Sequence, residues 1–430
     1  MLTNPVLLSI IIMMVLCLLR CNVMLAILIS AMCAVFLSST AIENPLSLFI
    51  DGMGGNLETA LSYVLLGVIA SAIARTNLTA ILVNKVSSVI SNKKYLFIAS
   101  IAFFSCFSQN LVPVHIAFIP ILIPPLLKVM NLLKIDRRAV ACALTFALQT
   151  PYMALPLGFG LIFFGLIQKN MTENGIAVNL SDISSVMWLT AIPMLFGLIL
   201  AIFVYRKPRE YQEIATQVDE KFENLKFGRQ EIGVLLGIIV SFAIQLISGS
   251  MPLAALVGII VMIVTGGIVY KNLDKTFQDG IVMMGYIAFV MLVAAGYGAV
   301  IKATGGIAEL VNFAAGLSGG KFGGVLLMIL IGLVITMGIG SSFGTIPIIA
   351  TIYCPLALEL GFSAAATILI IGIAAGIGDA GSPASDSTLG PTAGLNADGQ
   401  HNHIYDTCVP TFLFFNIPLI VFGVVFAMFL

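Results

Sequence analysis

Charged side chains are scarce in this sequence. Asp, Glu, Lys and Arg make up only 9% of its 430 residues, where a soluble protein carries about 25%. With 60% of residues hydrophobic, no soluble fold covers the apolar surface. The 20 basic residues are balanced by 20 acidic ones and form no run interleaved with aromatics, which leaves nucleic acid nothing to bind. The cysteines (17, 21, 33, 106, 142, 354 and 408) are odd in number, lack CxxC spacing and stand mostly in apolar runs. They read as small buried hydrophobes, which excludes a disulfide framework or a metal-thiolate site. No Ser/His/Asp nucleophile set, P-loop or Gly-rich nucleotide fingerprint occurs. An enzyme and an ATP-driven pump are therefore not expected, nor any cofactor beyond a coupling ion.

What the chain does have is repeated apolar runs of about 17–25 residues, each long enough to cross a hydrocarbon core about 30 Å thick. The lipid bilayer is its first partner. The run Val6 to Leu19 follows no basic segment and leads through Arg20-Cys21-Asn22 into a second run, so it reads as a retained span. Two stretches are too long for one helix. The first, 95–128, is interrupted by Ser108-Gln109-Asn110-Leu111-Val112-Pro113, and the second, 323–360, by Gly338 to Pro347. Each predicts a helical hairpin with a polar tip, re-entrant or fully crossing. Basic residues in short loops stay cytoplasmic. Arg20 follows the first span, while the expected loop 41–56 holds Glu43 and Asp51 and no base, which puts the N-terminus outside. With that orientation only Lys169, Lys302 and Lys321 of the bases face outward.

A shift of 228 residues lays Val6-Leu7-Leu8 on Val234-Leu235-Leu236 and Phe49, Asp51, Gly52 and Ala60 on Phe277, Asp279, Gly280 and Ala288. With a few residues of drift, Ser108…Pro113 falls on Ser342…Pro347 and Thr150-Pro151 on Ser382-Pro383. The expected fold is all-α integral membrane: two inverted repeats of about five transmembrane helices, each with a re-entrant hairpin and a broken helix. The first repeat spans 1–209 and the second 230–430, joined by a cytoplasmic linker, 210–229. Paired discontinuous helices of this kind are the strongest sequence pointer to a transporter site near the midplane.

The breaks are polar. In the first half the break is Gln149-Thr150-Pro151-Tyr152-Met153-Ala154-Leu155-Pro156. In the second it runs from Gly378-Asp379 through Ser382-Pro383-Ala384-Ser385-Asp386-Ser387-Thr388 to Gly390-Pro391. Pro and Gly interrupt the helical ladder, and backbone freed inside a membrane is tolerated only where it is buried or lines a wet cavity. Freed carbonyls and hydroxyls are hard ligands for Na+, expected near Asp379 and Thr150. A carboxylate at helix-centre depth costs about 2.5–3.5 kcal/mol on insertion scales, so Asp379 and Asp386 are read as functional. A desolvated carboxylate can alternate between a proton and Na+, which is the minimal chemistry of antiport. Glu359 is a weaker candidate. His115 and the loop Asp398…His401-Asn402-His403…Asp406 read as a structural histidine and as solvated loop polarity, respectively, rather than as a relay or metal site.

Through Gly378-Asp379-Ala380-Gly381-Ser382-Pro383 to Thr388-Leu389-Gly390-Pro391-Thr392, and on through His401-Asn402-His403 to Pro410-Thr411, the chain resembles bacterial Na+/H+ antiporters related to NhaC, of the ion transporter superfamily. The resemblance implies a cytoplasmic (inner) membrane location and a homodimer with separate scaffold and transport domains moving as an elevator. The superfamily's cation motifs would fall on Ser108, Asn110 and Thr150 and on Ser341, Ser342, Thr345, Ser382, Ser385 and Thr388. A clear Ser-Asn-Thr triplet is absent, which argues against dicarboxylates. Two readings follow: exchange of Na+ for H+ at Asp379, with Asp386 assisting, or cation-coupled transport of a basic or zwitterionic amino acid such as histidine, lysine or arginine. The second is motivated by two acids and no base at the expected site.

Overall fold

The computed structural model describes residues 4–19, 21–38, 40, 42–78, 81, 93–110, 115–212, 227–339, 341–383 and 385–430, and among these all regular structure is helical. The first half holds α1 (Pro5–Leu18), α2 (Val23–Leu37), α3 (Pro45–Ala74), α4 (Lys94–Asn110), α5 (His115–Leu132), α6 (Arg137–Ala154), α7 (Phe159–Glu173) and α8 (Leu180–Val204). The second holds α9 (Arg229–Ser248), α10 (Met251–Thr265), α11 (Tyr270–Ala303), α12 (Ile307–Ser318), α13 (Lys321–Ile339), α14 (Ser342–Glu359), α15 (Ala364–Gly376), α16 (Asp386–Leu395) and α17 (His403–Phe429). Helices α3, α8, α11, α14 and α17 are each long and apolar enough to cross a bilayer, and α6 with α7 makes a sixth span bent by 47°.

The expected loop 41–56 is largely helix. Pro45 opens α3 at a first-turn position that needs no N–H, and Leu46, Leu48, Phe49 and Ile50 carry it on. The glycines that suggested a loop serve packing instead. A Cβ at Gly52 would lie 2.5 Å from Ala299 Cβ, and one at Gly67 would lie 2.3 Å from Gly280 O. Asn56 Nδ2 donates to Met291 O at 3.0 Å. Early residues of α3 thus meet late residues of α11, and late ones meet early ones, so the two helices lie antiparallel at backbone contact. The shift that aligns the sequence also aligns these elements, with Pro45 on Leu273 and with Val23–Leu37 on Met251–Thr265.

Helices α13 and α14 form a hairpin. Tyr353 Oη donates to Met328 O at 2.6 Å and Thr336 Oγ1 lies 3.2 Å from Thr345 Oγ1, pairing residues equally far from the junction of the two helices. Helix α4 leads to α5 through 111–114, which with the side chains of Ser108, Asn110 and His115 lie outside the described residues. The pieces beyond the breaks cross over: α16 packs against α5 and α6 of the first half, and α7 packs against α14 of the second. The second hairpin, α5 and the two broken helices are thereby packed together.

Candidate functional site

The second break is a true unwinding. Helix α15 ends at Gly376, the chain turns from Ile377, and α16 begins at Asp386. Gly378 and Gly381 have φ of +97° and +90°, a region that only glycine enters freely. Unwinding strands the last carbonyls of α15, and in a membrane each must find a donor. Thr336 Oγ1 of α13 reaches Ala374 O and Ala375 O at 3.1 and 3.2 Å, and Gln149 Nε2 of α6 reaches Gly376 O at 2.7 Å. Asn416 of α17 bridges the turn, accepting from Gly378 N at 3.2 Å and donating to Ala380 O at 2.7 Å. Three helices thus staple the break open.

Asp379 projects from this turn and is 6% exposed. Tyr152 Oη donates to its Oδ2 at 2.6 Å, Ser342 Oγ donates to the same oxygen, and Ser385 Oγ donates to Oδ1 at 3.3 Å. The Tyr152 and Ser342 oxygens are 2.8 Å apart. One carboxylate therefore collects hydroxyls from the first broken helix, the tip of the second hairpin and the cap of α16, and Ser342 also places it at the positive N-terminal end of α14. Beside it Tyr63, Tyr152, Phe159, Phe163 and Phe343 stack with centroids 5.3 to 5.9 Å apart.

Of the residues that the sequence singles out, Asp379, Ser342 and Ser385 come together. Ser382, Thr388 and Thr345 turn their hydroxyls to the carbonyls of Met337, of Ser382 and Ser385, and of Ser341. Ser341 caps α14 by accepting from Gly344 N. Asp386 is the half-buried first residue of α16, next in the chain to Ser385. The first break falls at the far end of its expected stretch, Gln149 to Pro156. Helix α6 runs through Pro151 to Ala154 and the chain bends at 155–158, so Gln149 and Thr150 stand on a continuous helix. Both nevertheless keep a buried unpartnered atom, Gln149 Oε1 and Thr150 Oγ1. Glu359 is exposed at the end of α14. Tyr152, Tyr63, Phe343, Thr336 and Asn416 were not foreseen. Tyr152 lies inside the quoted break and was legible as a hydroxyl at membrane depth. The others carry no local signal.

The loop 398–406 is not solvated polarity. Asp398 pairs bidentately with the buried Arg137, both contacts 2.6 Å. Arg137 also donates to Leu395 O and Asn131 Oδ1 and stacks on Tyr211 at 4.1 Å. Arg209 pairs with Asp406 at 2.8 Å. Burial raises the Asp398 carboxyl but the guanidinium beside it more than offsets this, and the net shift is downward. Among the described residues no cluster of His, Cys, Asp and Glu is arranged to hold a metal.

The model of the Na+/H+ antiporter family matches residues 143–424, both broken helices and the second hairpin included, and a second model of the Na+-H+ antiporter family matches 4–90. The chain belongs to the Na+/H+ antiporter family. It is similar to the putative amino acid transporter YuiF of Bacillus subtilis, 47% identical over 98% of each chain. Its fold is similar to that of Neisseria gonorrhoeae MtrF, described as illuminating a class of antimetabolite efflux pumps (TM-score 0.62, 16% identity, 98% and 94% of the two chains). It also resembles the YdaH transporter of Alcanivorax borkumensis, described as having an unusual topology (TM-score 0.60, 14% identity, 99% and 97%). This member of the antiporter family is a multi-pass membrane protein and a secondary transporter, not an enzyme.

Proposed function

We propose that the chain moves an amino acid across the cytoplasmic membrane, coupled to Na+ or H+ bound at Asp379. The observation that carries this is the composition around that carboxylate: three hydroxyls, no base, and a wall of five aromatic rings. A carboxylate ringed by hydroxyls suits a cation or a proton in turn, and aromatic faces attract an ammonium or guanidinium and shelter an apolar stem. The near-half identity to a putative amino acid transporter along the whole chain supports an organic cargo. Exchange of Na+ for H+ without cargo is the second reading, favoured because a hydroxyl-ringed carboxylate is already sufficient for a bare ion.

Alternating access is of the elevator type, with two inverted repeats and a homodimer. The antiparallel contact of α3 with α11, equivalent elements of the two halves, supports the inversion. Asp386 and the hydroxyls of Ser382, Thr388, Ser341 and Thr345 shape the second-half site. Gln149 and Thr150, with their unpartnered oxygens, serve the cargo from the first half. In proteoliposomes under a Na+ gradient, uptake of labelled amino acid with no intrinsic proton exchange is expected. Proton movement independent of any amino acid selects the second reading. Asp379→Asn is expected to abolish coupled transport at normal membrane expression, and wild-type flux in that variant rejects the assignment.

A further inference from the structure

A cavity of about 270 Å³ lies where α1 and α12 meet the second hairpin, α13 and α14, apart from the residues that surround Asp379. Each helix turns one face to it. Helix α1 brings Leu7, Ile10 and Ile11, and α13 brings Leu327, Leu330 and Val334, at the three- and four-residue spacing of a helical stripe. The one hydroxyl among the lining side chains, that of Tyr353, is turned to Met328 O at 2.6 Å, so the wall presents no polar atom. Water needs polar partners to enter a cavity and finds none here. An empty space of this size is also unfavourable. A dry apolar cavity of about 150 Å³ already accepts benzene, and a wall that faces a void forgoes its dispersion contacts. Among the lining residues Ile10, Ala314 and Met328 are buried, whereas Ile11, Leu330 and Val334 are 39, 41 and 38% exposed. The cavity therefore opens between apolar side chains onto the outer surface of the helices. In a multi-pass membrane protein the medium against such a surface is hydrocarbon.

We propose that this cavity is a binding site for one acyl tail of a membrane phospholipid, held apart from the lipids that merely coat the protein. The tail enters past Ile11, Leu330 and Val334 and fills the space against Ile10, Ala314 and Met328. It completes the packing of the second hairpin, the element whose α14 brings Ser342 to Asp379 and whose α13 brings Thr336 to the freed carbonyls of α15. Val334, at the opening, precedes Thr336 on α13 by two residues, so the tail braces the arm that holds the break open. Neither the cargo nor the coupling ion enters this site.

The test uses the full-length protein in vesicles of phosphatidylethanolamine and phosphatidylglycerol that carry a trace of phosphatidylcholine with a diazirine in one tail, placed midway in one probe and at the tail end in another. Illumination and peptide mass spectrometry are expected to locate adducts on Ile10, Ala314 or Met328, buried side chains that coating lipid does not touch. Ala314→Phe fills the space from within. Val334→Trp closes the opening from an exposed position, where folding is not at stake. Both variants are expected to lose these adducts while those on the exposed Ile199 and Phe203 of α8 stay as in wild type. Wild type without adducts on the buried wall overturns the proposal, and a second copy of this chain seated over the opening gives that result. Adducts on the buried wall that neither variant reduces overturn it as well. In detergent, added phospholipid is expected to raise the thermal midpoint of wild type more than that of Ala314→Phe, whose own ring takes the place of the tail. An equal rise in the two also overturns the proposal.

Discussion

Arg137 and Asp398 show what a charged pair requires in a chain so poor in charge. Both side chains are buried, and the guanidinium also carries the Leu395 carbonyl, the C-terminal end of α16. Removing one partner of a buried pair leaves an uncompensated charge, a loss of about 3–5 kcal/mol. Asp398→Asn is therefore expected to lower the thermal midpoint in detergent, followed by fluorescence, whereas Arg137→Met with Asp398→Leu together recovers much of the loss. The pH dependence has a definite sign. The folded Asp398 pKa is depressed, so its contribution is full above the unfolded carboxylate value, about 3.9, and fades as pH falls through the lower folded value. Wild type and Asp398→Asn should converge in stability only in acid, and a gap that persists there contradicts the pairing.

At the scale of the element, glycine is placed for two separate purposes. Gly378 and Gly381 permit left-handed backbone at the break, and a Cβ at Gly381 would also lie 2.6 Å from Phe412 Cβ. Gly381→Ala should cost about 1–3 kcal/mol and displace the turn that carries Asp379. The expected outcome is loss of transport with protein still in the membrane, measured by uptake against surface expression. Gly52, Gly67 and Gly280 instead sit inside long helices, where their task is backbone contact between α3 and α11. This is why a Gly-bearing stretch that reads as a loop is helix. The first break lies at the far end of its expected stretch, Gln149 to Pro156: a Pro inside a membrane helix is accommodated by its surroundings, so α6 runs on through Pro151 and the bend falls at 155–158.

For the whole molecule the decisive matter is which parts meet. The second hairpin, α6 and the crossed-over α7 and α16 pack around Asp379, while α3 and α11 pack against each other through their glycines. Orientation in the membrane follows from the placement of bases. In a cysteine-free background, Lys302→Cys should react with an impermeant maleimide in intact cells, and Lys207→Cys only after the membrane is opened. The reverse pattern would invert the proposed topology and place the 398–406 network outside.

Hydropathy and the scarcity of charge are enough to establish a helical membrane protein, because continuous apolar runs of about 17–25 residues satisfy their backbone in lipid as helices, whereas barrel strands are short and alternate. The second hairpin and the break that carries Asp379 are likewise legible, since Gly, Ser and Pro in an apolar run interrupt the helical ladder. What the linear chain cannot express is the company that Asp379 keeps. Tyr152 and Ser342 stand 227 and 37 residues away from it, and Gln149, Thr336 and Asn416 arrive from three different helices to satisfy the carbonyls freed by the break. Only packing decides which hydroxyls converge on a carboxylate, because each is locally an ordinary polar residue in an apolar run. The same holds for the loop 398–406, whose acids look solvated until tertiary structure brings Arg137 and Arg209 against them.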